Sequence, residues 1–253
     1  MVVGAQLYTL RNHIETEEGV IDTFSRLQQM GCRYVQVSGM KAPISPKRLR
    51  EIADQYEQQI VLTHTDVNRI KNDTLALIEE HKIMGCSHIG IGCRPGDYKD
   101  TAEDYRRFIA DFTPAAKLMK EHGMVLHYHN HSFEFAKMDG DKTGFDILTT
   151  ETDPELWHFT LDTYWVQAGG RNPVSEIERL SGRVSAVHLK DMAIVDGGQR
   201  FAAVGRGNLD FAAIMDACRK AGTEWALIEQ DDCYGADAFE EMAFSLQNAA
   251  QYL

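Results

Sequence analysis

Residues 211–230 read FAAIMDACRKAGTEWALIEQ. The first eleven, Phe211–Ala221, space their apolar side chains along one face of a helix. Gly222 follows at once, where a left-handed C-cap favours glycine. Ala226–Gln230 is then a short apolar run of strand type that closes on the carboxylate of Glu229. This unit of helix, glycine, strand and terminal polar residue decides the fold, because it recurs along the chain.

Gly31, Gly85 and Gly123 stand in the same place after the helical stretches Gly19–Met30, Asp73–Met84 and Ala102–His122. Helical spacing also marks Pro46–Tyr56 and Asp237–Tyr252. The other strand-like runs are Ala5–Thr9, Tyr34–Ser38, Ile60–Thr65, His88–Gly92, Val125–Asn130, Phe159–Tyr164 and Val184–Leu189. Eight strands in 253 residues leave about 32 residues per unit, about what a βαβ crossover needs. The alternation predicts an α/β protein, a single (β/α)8 TIM barrel occupying residues 1–253 as one domain. An open doubly wound sheet fits less well. No GxGxxG follows the first strand, and the polar residues are spread over many strands instead of gathering at one crevice.

Composition narrows the function classes. No apolar run approaches the roughly 18 residues needed to span a bilayer, so no membrane partner is expected. Met1–Gln6 lacks the basic and long apolar regions of a signal peptide, and a cytoplasmic location is expected. Cys32, Cys86, Cys93, Cys218 and Cys233 form an odd set with no CxxC pair, which argues for reduced thiols over a disulfide framework or thiolate zinc site. A net charge of −12 repels phosphate backbones, so no nucleic acid partner is expected. The run Lys47-Arg48-Leu49-Arg50 reads as a solvated helix face. Monomer and homodimer both remain open.

In a parallel barrel the C-terminal strand ends share one mouth, where residues distant in sequence meet. Glu134, Asp162, His188 and Glu229 stand at or just past the ends of apolar runs, an O₃N set that suits one divalent ion, Mn2+, Mg2+, Co2+ or Zn2+. Alternation puts Ala186, His188 and Lys190 on one face of the seventh strand, Thr160, Asp162 and Tyr164 on the sixth, and Leu227, Glu229 and Asp231 on the eighth. By the same rule Tyr34, Gln36 and Ser38 face inward from the second. His127, His129 and His131 also share a face, but they spread over about 13 Å, too far for one ion to take all three. The preferred reading takes Glu134, just past that strand, as the ligand and leaves the histidines to shape the pocket.

Asp162 lies inside an apolar run and must be paired or metal-bound. Lys190 either binds a substrate oxygen or phosphate or pairs with an acid such as Asp191. His64, across the mouth, is a candidate for hydrogen-bonding substrate or for proton transfer. Tyr8, Gln36, His129 and Trp165 are the candidate substrate contacts, with Tyr164 and Trp165 as apolar walls. Val204-Gly205-Arg206-Gly207-Asn208 has neither a preceding strand nor a P-loop lysine and reads as a tight turn.

Taken together, Tyr128-His129-Asn130-His131, Phe133-Glu134-Phe135, Leu161-Asp162-Thr163-Tyr164-Trp165, Val187-His188-Leu189-Lys190-Asp191 and Glu229-Gln230-Asp231 resemble the xylose isomerase-like barrels of the sugar phosphate isomerase/epimerase family. That superfamily also holds tagatose-type epimerases, dehydratases of inositol and shikimate intermediates, and endonuclease IV-type repair enzymes. The resemblance implies one divalent metal, Mn2+ ahead of the others, held by Glu134, Asp162, His188 and Glu229. It implies isomerisation or epimerisation of a small sugar-like molecule through an enediolate, with Glu134 and Glu229 also moving protons. Lys190 and His64 complete the expected catalytic set. A lyase acting on a keto-inositol or 3-keto-glycoside is the alternative, and a non-catalytic sugar-binding barrel a third. The repair branch carries a His where this chain has Trp165, and Asp and His where it has Gln199 and Phe201, so a trinuclear zinc site is not expected.

Overall fold

The structure is a computed structural model and describes residues 1–138 and 140–253. Eight strands form its frame: β1 (Val2–Gln6), β2 (Tyr34–Val37), β3 (Gln59–His64), β4 (His88–Ile91), β5 (Val125–His129), β6 (Trp157–Asp162), β7 (Ala186–Leu189) and β10 (Trp225–Ile228). They close into a parallel barrel in the order β1-β10-β7-β6-β5-β4-β3-β2. The helices are α1 (Glu17–Gln29), α2 (Pro46–Gln55), α3 (Val67–Asn72), α4 (Thr74–Met84), α5 (Ala102–Glu121), α6 (Gly144–Glu151), α7 (Thr163–Ala168), α8 (Pro173–Arg179), α9 (Phe211–Ala221) and α10 (Ala238–Ala249). The (β/α)8 expectation holds.

Local chemistry sets the element ends. Thr16, Thr101 and Asp210 accept backbone N–H groups at the starts of α1, α5 and α9, satisfying donors the helix leaves open. Gly85 and Gly222 end α4 and α9 with φ of 70° and 81°, the left-handed region expected of them. Outward strand residues such as Val35, Ile89, Leu126, Leu161 and Val187 pack under the helices in one apolar layer. Leu62, Ala186 and Leu227 fill the barrel interior below the mouth. Among the described residues no helix is long and apolar enough to cross a membrane.

Three departures matter for the site. The first strand ends at Gln6, and Leu7–His13 turns as a 3-10 segment, so Tyr8 lies on the rim and not in a strand. The sixth strand ends at Asp162 and a helix begins at Thr163, so Tyr164 is helical and does not share a strand face with the aspartate. Helices α3, α6, α7 and α8 run only six to eight residues, too short to show hydrophobic periodicity.

An antiparallel hairpin, β8 (Asp191–Val195) with β9 (Gly198–Ala202), stands on the mouth after β7. It was not expected from the sequence. Its anchor is Asp191, whose carboxylate accepts the N–H groups of Met192 (2.7 Å), Gly205 (2.9 Å), Gly207 (2.8 Å) and Leu209 (3.2 Å). The turn expected over Val204–Asn208 is therefore wound around a buried carboxylate. A Cβ at Gly207 would sit 2.3 Å from Asp191 Oδ1. Asp191 is fully engaged by backbone, which removes it as the partner of Lys190.

Candidate active site

Strand register assembles the site. His129 on β5 is level with Thr160 on β6, and Asp162 two residues on is level with His188 on β7. His188 is level with Leu227 on β10, which places Glu229 one inward-facing step above it. One ligand atom from each of His129, Asp162, His188 and Glu229 lies within 4.8 Å of the others, and all four residues are buried.

Glu134 does not join them, which corrects the expected ligand set. Its Oε1 accepts the Tyr128 hydroxyl at 2.6 Å and its Oε2 the His131 N–H at 2.9 Å. Tyr128 alternates with the inward-facing His127 and His129, so its side chain is on the helix side of β5. The single 3-10 turn Phe133–Phe135 folds the carboxylate back onto that outer side. Burial pushes the Glu134 pKa up to about 7, against the opposing hydrogen bonds from Tyr128 and the backbone.

The two imidazoles in the cluster have their tautomers set from behind. His129 Nδ1–H donates to Gly92 O at 2.8 Å, which turns the Nε2 lone pair toward Asp162 Oδ2, 3.4 Å away. His188 Nε2–H donates to Gln36 Oε1 at 2.7 Å, which leaves Nδ1 facing the cluster. Gln36 is fully buried behind His188, a correction of its expected role as a substrate contact. Asp162 is anchored through its N–H to Asn130 Oδ1 at 3.0 Å and through Oδ1 to the Trp165 N–H at 2.9 Å.

A divalent ion fits these residues. His188 Nδ1 and Glu229 Oε2 stand 2.9 Å apart; against the effect of burial, Glu229 and Asp162 push the His188 pKa up to about 9, so a cation bound between these groups would take the place of the Nδ1 proton. Lys190 Nζ lies 2.9 Å from Asp162 Oδ2, 2.8 Å from Glu229 Oε2 and 2.9 Å from Asp231 Oδ1. With His188 neutral, three ionised carboxylates against one ammonium would leave two negative charges, which a divalent cation balances. Burial alone would push Lys190 down, but Asp162, Glu229 and Asp231 hold its pKa well above the usual lysine range. Burial likewise opposes ionisation of Glu229 and Asp162, yet the Lys190 charge wins and holds both low.

Residues 24–248 match the family model described as xylose isomerase-like TIM barrel. The chain belongs to that family. An inosose dehydratase from Geobacillus kaustophilus is 33% identical over 92 residues, covering 36% of this chain and 29% of that one. The chain spans 29% to 64% of the length of the inosose dehydratases it matches. A sugar phosphate isomerase/epimerase from Parabacteroides distasonis superposes with a TM-score of 0.84 at 21% identity, over 99% of this chain and 94% of that one. The IOLI protein, solved with a zinc atom, superposes at 0.72 and 14% identity over 100% and 99% of the two chains.

In this xylose isomerase-like barrel His129 and Glu229 of the cluster line a cleft of about 460 Å³, bordered also by Tyr8, His64, His131, Lys190 and Asp231. Gln6 Oε1 accepts the Tyr8 N–H at 3.0 Å, so its amide nitrogen faces His64 Nδ1 at 3.5 Å, with Ser38 Oγ 3.1 Å from the same atom. His64 Nδ1 is thus the acceptor, and its Nε2–H has no partner among the described residues. Burial and the neighbouring histidines keep this imidazole neutral. Trp165 lies in the first turn of α7, with its ring 5.5 Å from Lys190 Nζ and 5.5 Å from the His131 ring; it backs these groups and is not part of the cleft lining. Asp231 is the cleft group that sequence reading left without a role. Its place on the Glu229 face of the eighth strand was the available signal.

Proposed function

We propose that this barrel is a divalent-metal-dependent lyase that enolises a small cyclic polyhydroxy ketone and expels the substituent β to the carbonyl. The observation that carries this reading is the placement of Glu134. An epimerase needs proton donors on both sides of one carbon, and the expected pair was Glu134 and Glu229. With Glu134 bound to Tyr128 outside the barrel, the two cleft acids that Lys190 joins, Glu229 and Asp231, come from one strand end, while the third, Asp66, caps α3 through the Asn68 N–H. The name inosose dehydratase carried by the sequence relatives agrees with elimination. Two imidazoles and two carboxylates favour Mn2+, Co2+ or Zn2+ over Mg2+, whose preference is for oxygen.

A bound ion would polarise the ketone oxygen and acidify the adjacent C–H. Asp231 is the group best placed to take that proton, since it borders the cleft and lies outside the four-residue cluster. Burial, with Glu229 and Asp162 nearby, raises the Asp231 pKa against the pull of Lys190 at 2.9 Å, as suits a group that takes up a proton and returns it. The unpartnered Nε2–H of His64 donates to a substrate oxygen. As the β C–O bond breaks, the proton on Asp231 passes to the leaving oxygen, so a keto-inositol yields an enone and water.

Metal-loaded protein incubated with a keto-inositol in D2O tests the proposal. Appearance of the enone by ultraviolet absorbance is expected. A deuterium-labelled epimer or isomer formed without elimination would move the assignment to isomerase, and saturable binding with neither product would leave only a sugar-binding barrel.

A further inference from the structure

Asp231 is held differently from the other acids of the site. Asp162 sits at a ladder position of β6, level with His188 on β7, and Glu229 is bonded through its N–H to Leu189 O at 3.2 Å. Asp231 lies past the last ladder pairs of β10, those of Ile228 with Ala5 and with Leu189, so sheet pairing does not fix it. Its carboxylate nevertheless meets the Lys190 ammonium at 2.9 Å. That contact depends on where the backbone beyond the strand runs.

The segment after β1 sets this path. Thr9 Oγ1 accepts the Gln230 N–H at 2.9 Å. Arg11 Nη2 donates to Asp231 O at 2.8 Å, and its Nη1 donates to Tyr8 O at 2.9 Å. The same guanidinium lies over the Tyr8 ring, 4.4 Å from its centroid. Tyr8 and Arg11 are three residues apart in the 3-10 segment, a spacing that brings side chains together there. Gly39 leaves room for the pair, since a Cβ at that position would stand 2.9 Å from Tyr8 Cδ2 and 3.2 Å from Arg11 Cβ. Tyr8 and Asp231 both line the cleft, and Arg11 stands behind them. A guanidinium offers two nitrogens in one rigid plane, one for each carbonyl, and a flat face for the ring, whereas lysine has a single nitrogen.

We infer that Arg11 is a positioning residue, which ties the Asp231 backbone to the Tyr8 turn and so fixes the Asp231 carboxylate in the cleft beside Lys190. The inference rests on the lyase reading for what Asp231 does, and it adds what puts Asp231 in place.

Arg11→Met keeps a side chain over the Tyr8 ring and removes both donors. Crystal structures of the metal-loaded wild type and variant read the positioning directly. Asp231 should leave hydrogen-bond reach of Lys190 Nζ in Arg11→Met, while Asp162 and Glu229 keep their contacts with it and metal content matches wild type. Arg11→Lys has one nitrogen for two carbonyls, so the same displacement is expected. Asp231 still in its wild-type contact with Lys190 in both variants would overturn the inference.

Turnover of a keto-inositol supplies a readout that a general loss of stability would not give. Arg11→Met should lower kcat about 10- to 100-fold, the cost of a proton-transfer group misplaced by about an ångström. In an Asp231→Asn background the same substitution should lower kcat no further, because both changes act through one carboxylate. Losses that add would overturn the inference, as would an undiminished kcat in Arg11→Met beside an impaired Asp231→Asn. If Asp231 moves in the variant structures but Asp231→Asn turns over at the wild-type rate, or the wild type forms no enone, the positioning stands and the lyase reading built on Asp231 falls.

Discussion

Gln36 Oε1 accepts a hydrogen bond from His188 Nε2 at 2.7 Å, across the barrel from β2 to β7. That single contact determines which nitrogen of His188 faces Asp162 and Glu229. Gln36→Leu would leave a buried N–H without a partner and free the ring to turn. Metal affinity should fall about 10- to 100-fold, as is usual when a residue orienting a ligand histidine is removed. Competition with a chromophoric chelator measures it. Unchanged affinity would mean that the imidazole is oriented by packing alone.

If the ion is held by the cluster of His129, Asp162, His188 and Glu229, metal content should depend on His129 and not on Glu134. His129→Ala should lose most of the bound ion, whereas Glu134→Gln should retain about one ion per chain. Elemental analysis of both variants after dialysis distinguishes them. Loss of metal in Glu134→Gln with retention in His129→Ala would restore the expectation formed from the sequence.

Glu134 also makes stability depend on pH. Its pKa rises from about 4.5 to about 7 on folding because burial disfavours the charge. The folded protein therefore binds more protons than the unfolded chain between these values, and stability falls as pH rises through that window. The contribution is fully present below pH 4.5, is lost as pH passes about 7, and amounts to no more than about 3 kcal/mol. Urea unfolding at half-unit steps from pH 5 to 8 should show this slope in the wild type and a flatter one in Glu134→Gln. Parallel curves would show that the carboxylate is ionised in the fold throughout.

Asp191 should matter for folding and not for chemistry. Asp191→Ala would strip the acceptor from the N–H groups of Gly205, Gly207 and Leu209. At about 1–3 kcal/mol for each buried donor left unpaired, a loss of about 3 kcal/mol or more is expected. Thermal unfolding reads it. A melting temperature within a degree of wild type would show that water replaces the carboxylate freely.

The barrel was legible before any coordinates because its signals are local. Glycine after a helix, apolar runs of strand length and a polar residue at the strand end each follow from a few neighbouring side chains, as in residues 211–230. Asp162, His188 and Glu229 were found in the same way, since period-two alternation says which face of a strand they share. The hairpin on the mouth escaped notice because what holds it is the Asp191 carboxylate reaching residues fourteen to eighteen positions away. Alternation fails once a strand ends, and Glu134 lies past the end of β5, so its direction depended on a turn and on the hydroxyl of Tyr128. His129 became the fourth member of the cluster through the register between β5 and β6, and Gln36 became its outer support through closure of the barrel. Sequence determined the strands and the faces their side chains take. Only tertiary structure decided which of those side chains meet, because register, barrel closure and the path of a loop are set by contacts between residues far apart in the chain.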